Sequence, residues 1–202
     1  MIARISMLVL LLLVTTQLLA GPRDAQWKEV DDAVKKGLPK TAVEKIKPII
    51  AAAIKDKAWA EAIKGIGRKI ALEGSIQGNK PEEKITRMLD EIKQAPGEMK
   101  PAMNTVLAHW YWQYFQANRY RFLQRTQTST IPGKDFTTWD LPRLFKEIEK
   151  HIVTALSSSD KLKKIPVAQF DELLVKGNVP DALRPTLYDV LVHDALAFYN
   201  AG

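Results

Sequence analysis

The sequence predicts an all-α fold, an irregular array of seven or eight helices after an N-terminal signal peptide. Apolar residues recur every three or four positions in each long segment, and no segment shows the alternation that is typical of a strand. Proline and glycine stand between these segments, where helices begin and end. A dense group of aromatic residues between positions 103 and 122 supplies material for a large core.

The first 20 residues have the features of a secretory signal peptide. Arg4 gives a short basic start, an apolar run covers 7–14, and Ala20 is a small residue at the expected cleavage point. The run is shorter than the ~20 residues of a membrane-spanning helix, so we expect cleavage and a secreted or periplasmic product. An uncleaved anchor is the alternative, because Leu18 is not a small residue, and membrane contact would then come through this segment only.

The chain contains no cysteine, which excludes disulfides, thiolate metal sites and cysteine nucleophiles. The remaining residues, 21–202, are predicted to form one helical domain that is stabilised by its core alone, with candidate sub-units 21–95 and 96–202. The formal net charge is +7, from 30 basic and 23 acidic residues. Both signs are interspersed, as on solvated helix faces.

Four helices are predicted in the first half of the chain, over 24–36, 41–55, 58–72 and 81–95. Pro48 is expected to kink the second helix, because it removes a backbone donor. Gly65 and Gly67 lie inside the third helix, where each costs about 1 kcal/mol relative to Ala, and close approach of another element could offset that cost. The fourth helix has Asn79 as its cap and Pro81 in its first turn.

The second half is predicted to hold an aromatic helix over 101–125, a polar loop over 126–138, and helices over 142–156, 167–175 and 185–200. Asp140 caps the first of these later helices, and a linker over 157–164 follows it. Gly177 ends the short helix, and Pro185 opens the last one. Trp139 precedes a capped helix, and we expect it to seat the loop on the core, because lone large aromatics usually bury their area.

The aromatic helix is predicted to lie at the centre of the domain. Its main apolar stripe consists of Met103, Val106, Leu107, Trp110, Tyr111, Tyr114, Phe115 and Phe122. Trp112, Tyr120 and Leu123 fall on the opposite side. A helix that is apolar on two faces is normally buried between neighbours, so we expect Trp110, Tyr111 and Tyr114 to be buried.

A faint internal repeat is present. Trp27 and Trp59 each begin a helix, and their separation is close to the ~34-residue period of tetratricopeptide repeats. Tetratricopeptide-like helix hairpins are therefore one interpretation. An unrelated helical bundle is the other.

The three histidines do not have the spacing of a metal site, since His109, His151 and His193 are far apart and none lies in an H-E-x-x-H motif. We expect His109 to be hydrogen-bonded in or near the core. His193 and the adjacent Asp194 are interpreted as an ordinary helix pair. No metal and no cofactor are predicted.

One short motif matches an enzyme pattern. Ser158 and Lys161 are spaced as in S-x-x-K, the nucleophile motif of penicillin-recognising enzymes. Neither of the companion motifs, S-D-N or K-T-G, follows it, and a serine-rich linker produces such a match by chance. The sequence therefore predicts a protein that is not an enzyme.

Basic and aromatic residues alternate in Arg119, Tyr120, Arg121 and Phe122, with Arg125 beyond them. Single-strand nucleic-acid binders use this pattern, but an exported protein seldom meets nucleic acid, so no nucleic-acid partner is predicted. The other interpretation is that the arginines cover the polar end of a buried aromatic helix. The candidate interaction surface consists of Trp112, Tyr120, Arg119 and Arg121.

Several short motifs run through most of the mature chain: GLPKTA at 37–42, AEAI at 60–63, RKIA at 68–71, QGNKPEE at 77–83, YWQYFQANRY at 111–120, DFTTWDL at 135–141 and PTLYD at 185–189. In these motifs the chain resembles the N-terminal helical region of large bacterial alpha-2-macroglobulin family proteins. Members of that family are exported proteins of many β-sandwich domains, and many of them trap proteases through a thioester between Cys and Gln.

The resemblance implies that this chain corresponds only to the leading helical segment of such a protein. The chain has no cysteine and no series of alternating strands, so no thioester or bait residue can be assigned to any position. The expected function is a non-catalytic interaction or scaffold module of an exported, protease-trapping alpha-2-macroglobulin-like protein. Its expected partner is a set of downstream β-sandwich domains or another envelope protein. The alternative is a free-standing periplasmic module that binds peptide or glycan through exposed aromatics.

Overall fold

The computed structural model describes residues 23–78, 80–125, 133, 135–175 and 178–201. Within these ranges the protein is all-helical and contains no strand, so the predicted fold class is confirmed. The described helices are α1 Asp24–Lys35, α2 Pro39–Lys55, α3 Trp59–Ile76, α4 Pro81–Gln94, α5 Lys100–Ala117, α6 Arg119–Leu123, α7 Leu141–Leu156, α8 Ser159–Leu162 and α9 Leu187–Tyr199. Short 3₁₀ helices cover Phe136–Thr138, Val167–Phe170 and Asp181–Leu183.

The described ranges hold nine α-helices rather than seven or eight, because the structure differs from three of the predictions. The aromatic helix is interrupted at Asn118, whose side chain donates to the Tyr114 carbonyl at 2.8 Å and so competes with the helical pattern. The predicted linker over 157–164 contains α8, whose Leu162 is fully buried. The predicted helix over 167–175 is also wrong in part, since only Val167–Phe170 is helical and it is a 3₁₀ helix.

Two helix starts agree with the predicted capping signals, whereas Lys80 rather than the predicted Asn79 occupies the N-cap of α4. Asp140 accepts a hydrogen bond from the Arg143 backbone N–H at 3.0 Å, which confirms it as the cap of α7. The last helix begins after Pro185 with a capping box between Thr186 and Asp189. Helix α3 extends to Ile76, beyond the predicted end at residue 72. The signal segment 1–20, Asn79, the loop residues 126–132 and Gly177 lie outside the described residues.

The core is organised around α5, called here the central helix. Fourteen of its 18 residues are buried, because α7, α4, α9 and α3 pack around it. All eight residues of the predicted apolar stripe are buried, which confirms the central position of this helix. The main core also takes buried residues from α3 and α4, so it draws on both predicted sub-units. The tetratricopeptide-like hairpins and the division into sub-units stay predictions.

A smaller core joins α1, α2 and α3. Ion pairs tie the chain before α1 to the same region, since Arg23 contacts both Asp56 and Glu61 and is only 6 % exposed. The indole N–H of Trp27 donates to Glu61 at 2.8 Å. Pro48 lies within α2, which continues to Lys55.

Close packing explains the two glycines inside α3. A Cβ atom at Gly65 would lie 2.7 Å from Ile50 Cγ1, and one at Gly67 would lie 2.2 Å from Leu173 Cδ2. These distances are too short for carbon atoms in contact, so an alanine at either position would force the Ile50 or Leu173 side chain to shift. This packing agrees with the expectation that close approach of another element offsets the low helix propensity of the two glycines.

We expect Gly67→Ala to lower the free energy of unfolding by about 1–3 kcal/mol, because overpacking against Leu173 outweighs the gain of about 1 kcal/mol in helix propensity. Urea denaturation measures the change. Gly97→Ala is the matched control, since nothing lies within 4 Å of the added Cβ, and it should be close to neutral. A more stable Gly67→Ala protein would show that α3 and Leu173 are not packed as described.

Candidate functional site

Three of the four residues of the predicted interaction surface lie together in the structure, and the fourth lies apart from them. Arg119, Tyr120 and Arg121 all lie exposed on α6, and Tyr120 is 75 % exposed. Leu123, on the same helix, is 57 % exposed. These four residues are called the Tyr120 surface below. They combine an aromatic ring, an aliphatic side chain and two guanidinium groups in five consecutive positions.

Trp112 does not belong to this surface. It is only 5 % exposed, and its ring stacks on Phe115 at 5.4 Å between centroids and meets Phe198 edge-on at 5.8 Å. The predicted exposure of Trp112 is therefore wrong. The reason is that α9 covers the second apolar face of the central helix.

Helix α6 is anchored to the core by the side chain of Phe122, and Arg125 packs on that ring. Phe122 is 1 % exposed and contacts the rings of Tyr114 and Phe115, each at 6.1 Å between centroids. Arg125 lies over the Phe122 ring at 4.9 Å and donates to the Trp139 carbonyl at 2.6 Å. Arg125 thus packs on an aromatic ring. This agrees with the interpretation that arginines cover the end of the buried aromatic helix. With Phe122 inserted, Tyr120 and Leu123 point away from the core.

Trp139 seats its segment on the core as predicted. It is 6 % exposed, and its indole N–H donates to the Gly133 carbonyl at 2.7 Å. The Arg143 guanidinium lies 4.8 Å from the centre of its ring, and Phe136 meets it edge-on. The ring therefore serves packing rather than an exposed contact.

His109 is buried and hydrogen-bonded, which confirms the expectation for this residue. The backbone N–H of Val175 donates to its Nε2 at 2.9 Å, so Nε2 carries no proton. Its Nδ1 therefore holds the proton and donates to the Asp194 carboxylate at 2.6 Å. Asp194 thus pairs with His109 rather than with the adjacent His193, which is exposed. The arrangement fixes one tautomer and joins the central helix to α9.

His151 and Glu147 form a second buried polar group. His151 Nδ1 donates to the side-chain oxygen of Asn104 at 2.7 Å, and Tyr111 stacks on the imidazole. His151 Nε2 lies 3.3 Å from a Glu147 carboxylate oxygen, which pairs with the imidazole only when that ring is protonated. His151 and then Lys150 favour the charged carboxylate and lower the pKa of Glu147 to about 2, although burial opposes the shift. Burial also raises the pKa of Tyr111.

The S-x-x-K match does not form a reactive pair in the described part of the chain. Ser158 precedes α8 and Lys161 is exposed, and the bond that joins them is between backbone atoms, Lys161 N–H to Ser158 carbonyl, at 3.0 Å. Among the described residues, no group of three or more His, Asp or Glu side chains is placed to hold a metal ion. No described helix has the length and apolar character needed to cross a membrane.

A groove of about 480 Å³ lies between Trp27 on α1 and Trp59 on α3. Both rings are partly exposed. Trp27 is oriented by its bond to Glu61, and Lys64 and Arg68 each lie 5.3 Å from its ring centre. Arg23 first, and Trp27 after it, hold the pKa of Glu61 below its usual value. The groove therefore has a fixed aromatic wall with charged groups beside it.

Comparison with known proteins does not assign the chain to a family. No protein-family model, no curated protein and no solved structure matches it. The resemblance to the helical region of alpha-2-macroglobulin family proteins therefore stays an expectation from the motifs.

We expect Glu147 to make stability depend on pH. Its pKa is about 2 in the folded protein against 4.5 when unperturbed, so its contribution is present above pH 4.5 and is lost as the pH falls towards 2. Glu147→Gln should lower the free energy of unfolding by about 1–3 kcal/mol at pH 5.5 and by much less near pH 2.5. Urea denaturation at both pH values measures the difference.

Glu44→Gln is the control, because it removes one carboxylate from an exposed pair with Lys47. Its pH profile should parallel that of the unmodified protein. A constant difference between Glu147→Gln and the unmodified protein across this pH range would contradict the assigned role of Glu147.

Proposed function

We propose that the protein is a non-catalytic interaction module and that the Tyr120 surface contacts a partner protein. The observation that carries this proposal is the exposure of Tyr120 and Leu123, 75 % and 57 %, on a helix whose Phe122 is buried. Most of the surface of both side chains faces solvent. Phe122 and Arg125 fix the helix before any partner binds, which reduces the entropy lost on association.

The residue types fit a protein interface. Tyr and Arg are enriched where interfaces derive most of their binding free energy, and their aromatic and guanidinium groups exclude water over a large area. Arg119 and Arg121 flank Tyr120, so the complementary patch on the partner is apolar at its centre and acidic at its rim.

Absence of catalysis is part of the proposal. Asp194 and the Val175 backbone engage both ring nitrogens of the buried His109, and Asn104 engages Nδ1 of the buried His151. This engagement supports a structural role for both histidines.

The motif resemblance extends the proposal to the partner. We propose that the module belongs to an exported, protease-trapping alpha-2-macroglobulin-like protein and contacts its β-sandwich domains or another envelope protein. The signal segment 1–20 would direct it to the periplasm or the exterior. No thioester or cofactor chemistry is assigned to this chain.

A second candidate function rests on the groove between Trp27 and Trp59. Its volume, about 480 Å³, lies within the range of small-ligand sites. Partly exposed indole rings stack on sugars and on extended peptides. This candidate is a free-standing periplasmic module for glycan or peptide.

Any β-sandwich domains that the same reading frame encodes beyond codon 202 are the partner for the test. We expect the same reading frame to encode β-sandwich domains, and isothermal titration of those domains with the protein measures binding. Tyr120→Ser should weaken binding more than tenfold, as the loss of a central interface aromatic does. Leu183→Ser is the matched control, because Leu183 is 73 % exposed but lies outside the Tyr120 surface, and it should bind normally.

Unchanged binding by Tyr120→Ser would reject the Tyr120 surface as the contact. A stop at codon 203 would reject downstream β-sandwich domains as the partner and leave another envelope protein as the partner to test. Saturable binding of an oligosaccharide or peptide that is lost in Trp59→Ser and kept in Tyr120→Ser would establish the second candidate instead.

A further inference from the structure

A separate pocket of about 200 Å³ lies between α3, α4, the central helix and the segment 172–175. Apolar side chains form most of its wall, chiefly Ile70, Trp110, Leu173 and Leu174. The indole N–H of Trp110 donates to the Leu173 carbonyl at 2.8 Å, which fixes the ring and the segment together. This bond holds two walls of the pocket together.

Lys84 is the only cationic side chain among the residues that line this pocket in the described structure. Its ammonium group lies 5.1 Å from the centre of the Trp110 ring, and burial lowers the pKa of Lys84. All 23 Asp and Glu side chains belong to the described residues, and none of them forms an ion pair with Lys84. Lys69, by contrast, is 20 % exposed on α3 and pairs with Glu91 at 2.6 Å.

Glu172 lines the same pocket but does not balance Lys84. Its carboxylate is held by Lys64 at 3.2 Å and by Arg68 Nε at 3.0 Å. Arg68 also pairs with Asp31, so this neighbouring group of two cations and two anions is neutral. The positive charge of Lys84 is therefore not balanced by a carboxylate. Desolvation in this site makes such an unpaired cation costly.

We propose that this pocket binds a carboxylate carried on a small apolar body, with Lys84 as its counter-charge. A carboxylate would relieve the desolvated ammonium group through a charge-assisted hydrogen bond. The side-chain amide of Gln113 lines the pocket and can donate a second bond. The apolar walls would bury the remainder of the ligand. This site is distinct from the Tyr120 surface and does not depend on the proposed function.

The volume sets the size of the ligand. About 200 Å³ has room for roughly seven water-sized groups, at ~30 Å³ each. Isovalerate, with a carboxylate and a branched apolar body, is the probe, and isovaleramide is its neutral isostere. N-acetyl-leucine presents the same carboxylate and branched body as the last residue of a peptide, and its acetylamino group would extend out of the pocket as the preceding peptide chain would. Comparison of the two acids distinguishes a free small acid from a peptide C-terminus as the source.

Nuclear magnetic resonance of the purified protein with ¹³C-labelled lysine tests the proposal, and the Lys84 signal is identified by its loss in Lys84→Met. We expect isovalerate or N-acetyl-leucine to shift the Lys84 and Trp110 signals saturably, with a Kd in the millimolar range or below. Isovaleramide should bind at least tenfold more weakly. Lys84→Met should lose at least tenfold in affinity, measured through Trp110.

Lys93→Met is the matched control, since Lys93 lies on the same helix but is 71 % exposed and pairs with Asp90. It should bind as the unmodified protein does. Lys84→Gln replaces Lys84→Met if the latter does not fold. Equal binding of acid and amide, equal binding after loss of Lys84, or no saturable shift with either acid would overturn the proposal.

Discussion

The structure depends on one constraint: the central helix is buried on every side, so its polar groups must be satisfied by the elements that cover it. Asn104 receives a hydrogen bond from His151 on α7, and His109 donates to Asp194 on α9. Trp110 donates to the Leu173 carbonyl. Each bond selects a particular neighbour, whereas apolar packing alone would accept several. The polar side chains of this helix thus determine which elements lie where.

The same constraint places the candidate sites at the edge of the central helix. At Asn118 the helix ends, and the next residues turn one side chain, Phe122, into the core and leave Tyr120 exposed. On another side, Trp110 forms a pocket wall where Lys84 has no carboxylate partner. Both candidate sites are built beside aromatic side chains that also pack in the core, Phe122 at the first and Trp110 at the second.

Periodicity and capping predicted the fold class, the position of most helices and the burial of the aromatic stripe, because these depend on local sequence. The exposure of Tyr120 also followed from its position on the helix. The burial of Trp112 was missed, since it requires Phe198 from a distant helix. His109 and Asp194 are 85 residues apart, and no local pattern connects them. That Lys84 has no carboxylate partner is likewise a property of the folded arrangement only.

Hydrogen exchange under native conditions tests the central role of this helix most directly. If the central helix is the constraint on which the fold depends, its amides from residue 104 to 115 exchange only when the whole protein unfolds. Their free energy of exchange then equals the free energy of unfolding in urea, while amides of Arg119–Leu123 exchange through local opening. Central-helix amides that exchange at a lower free energy than those of Pro39–Lys55 would contradict the account.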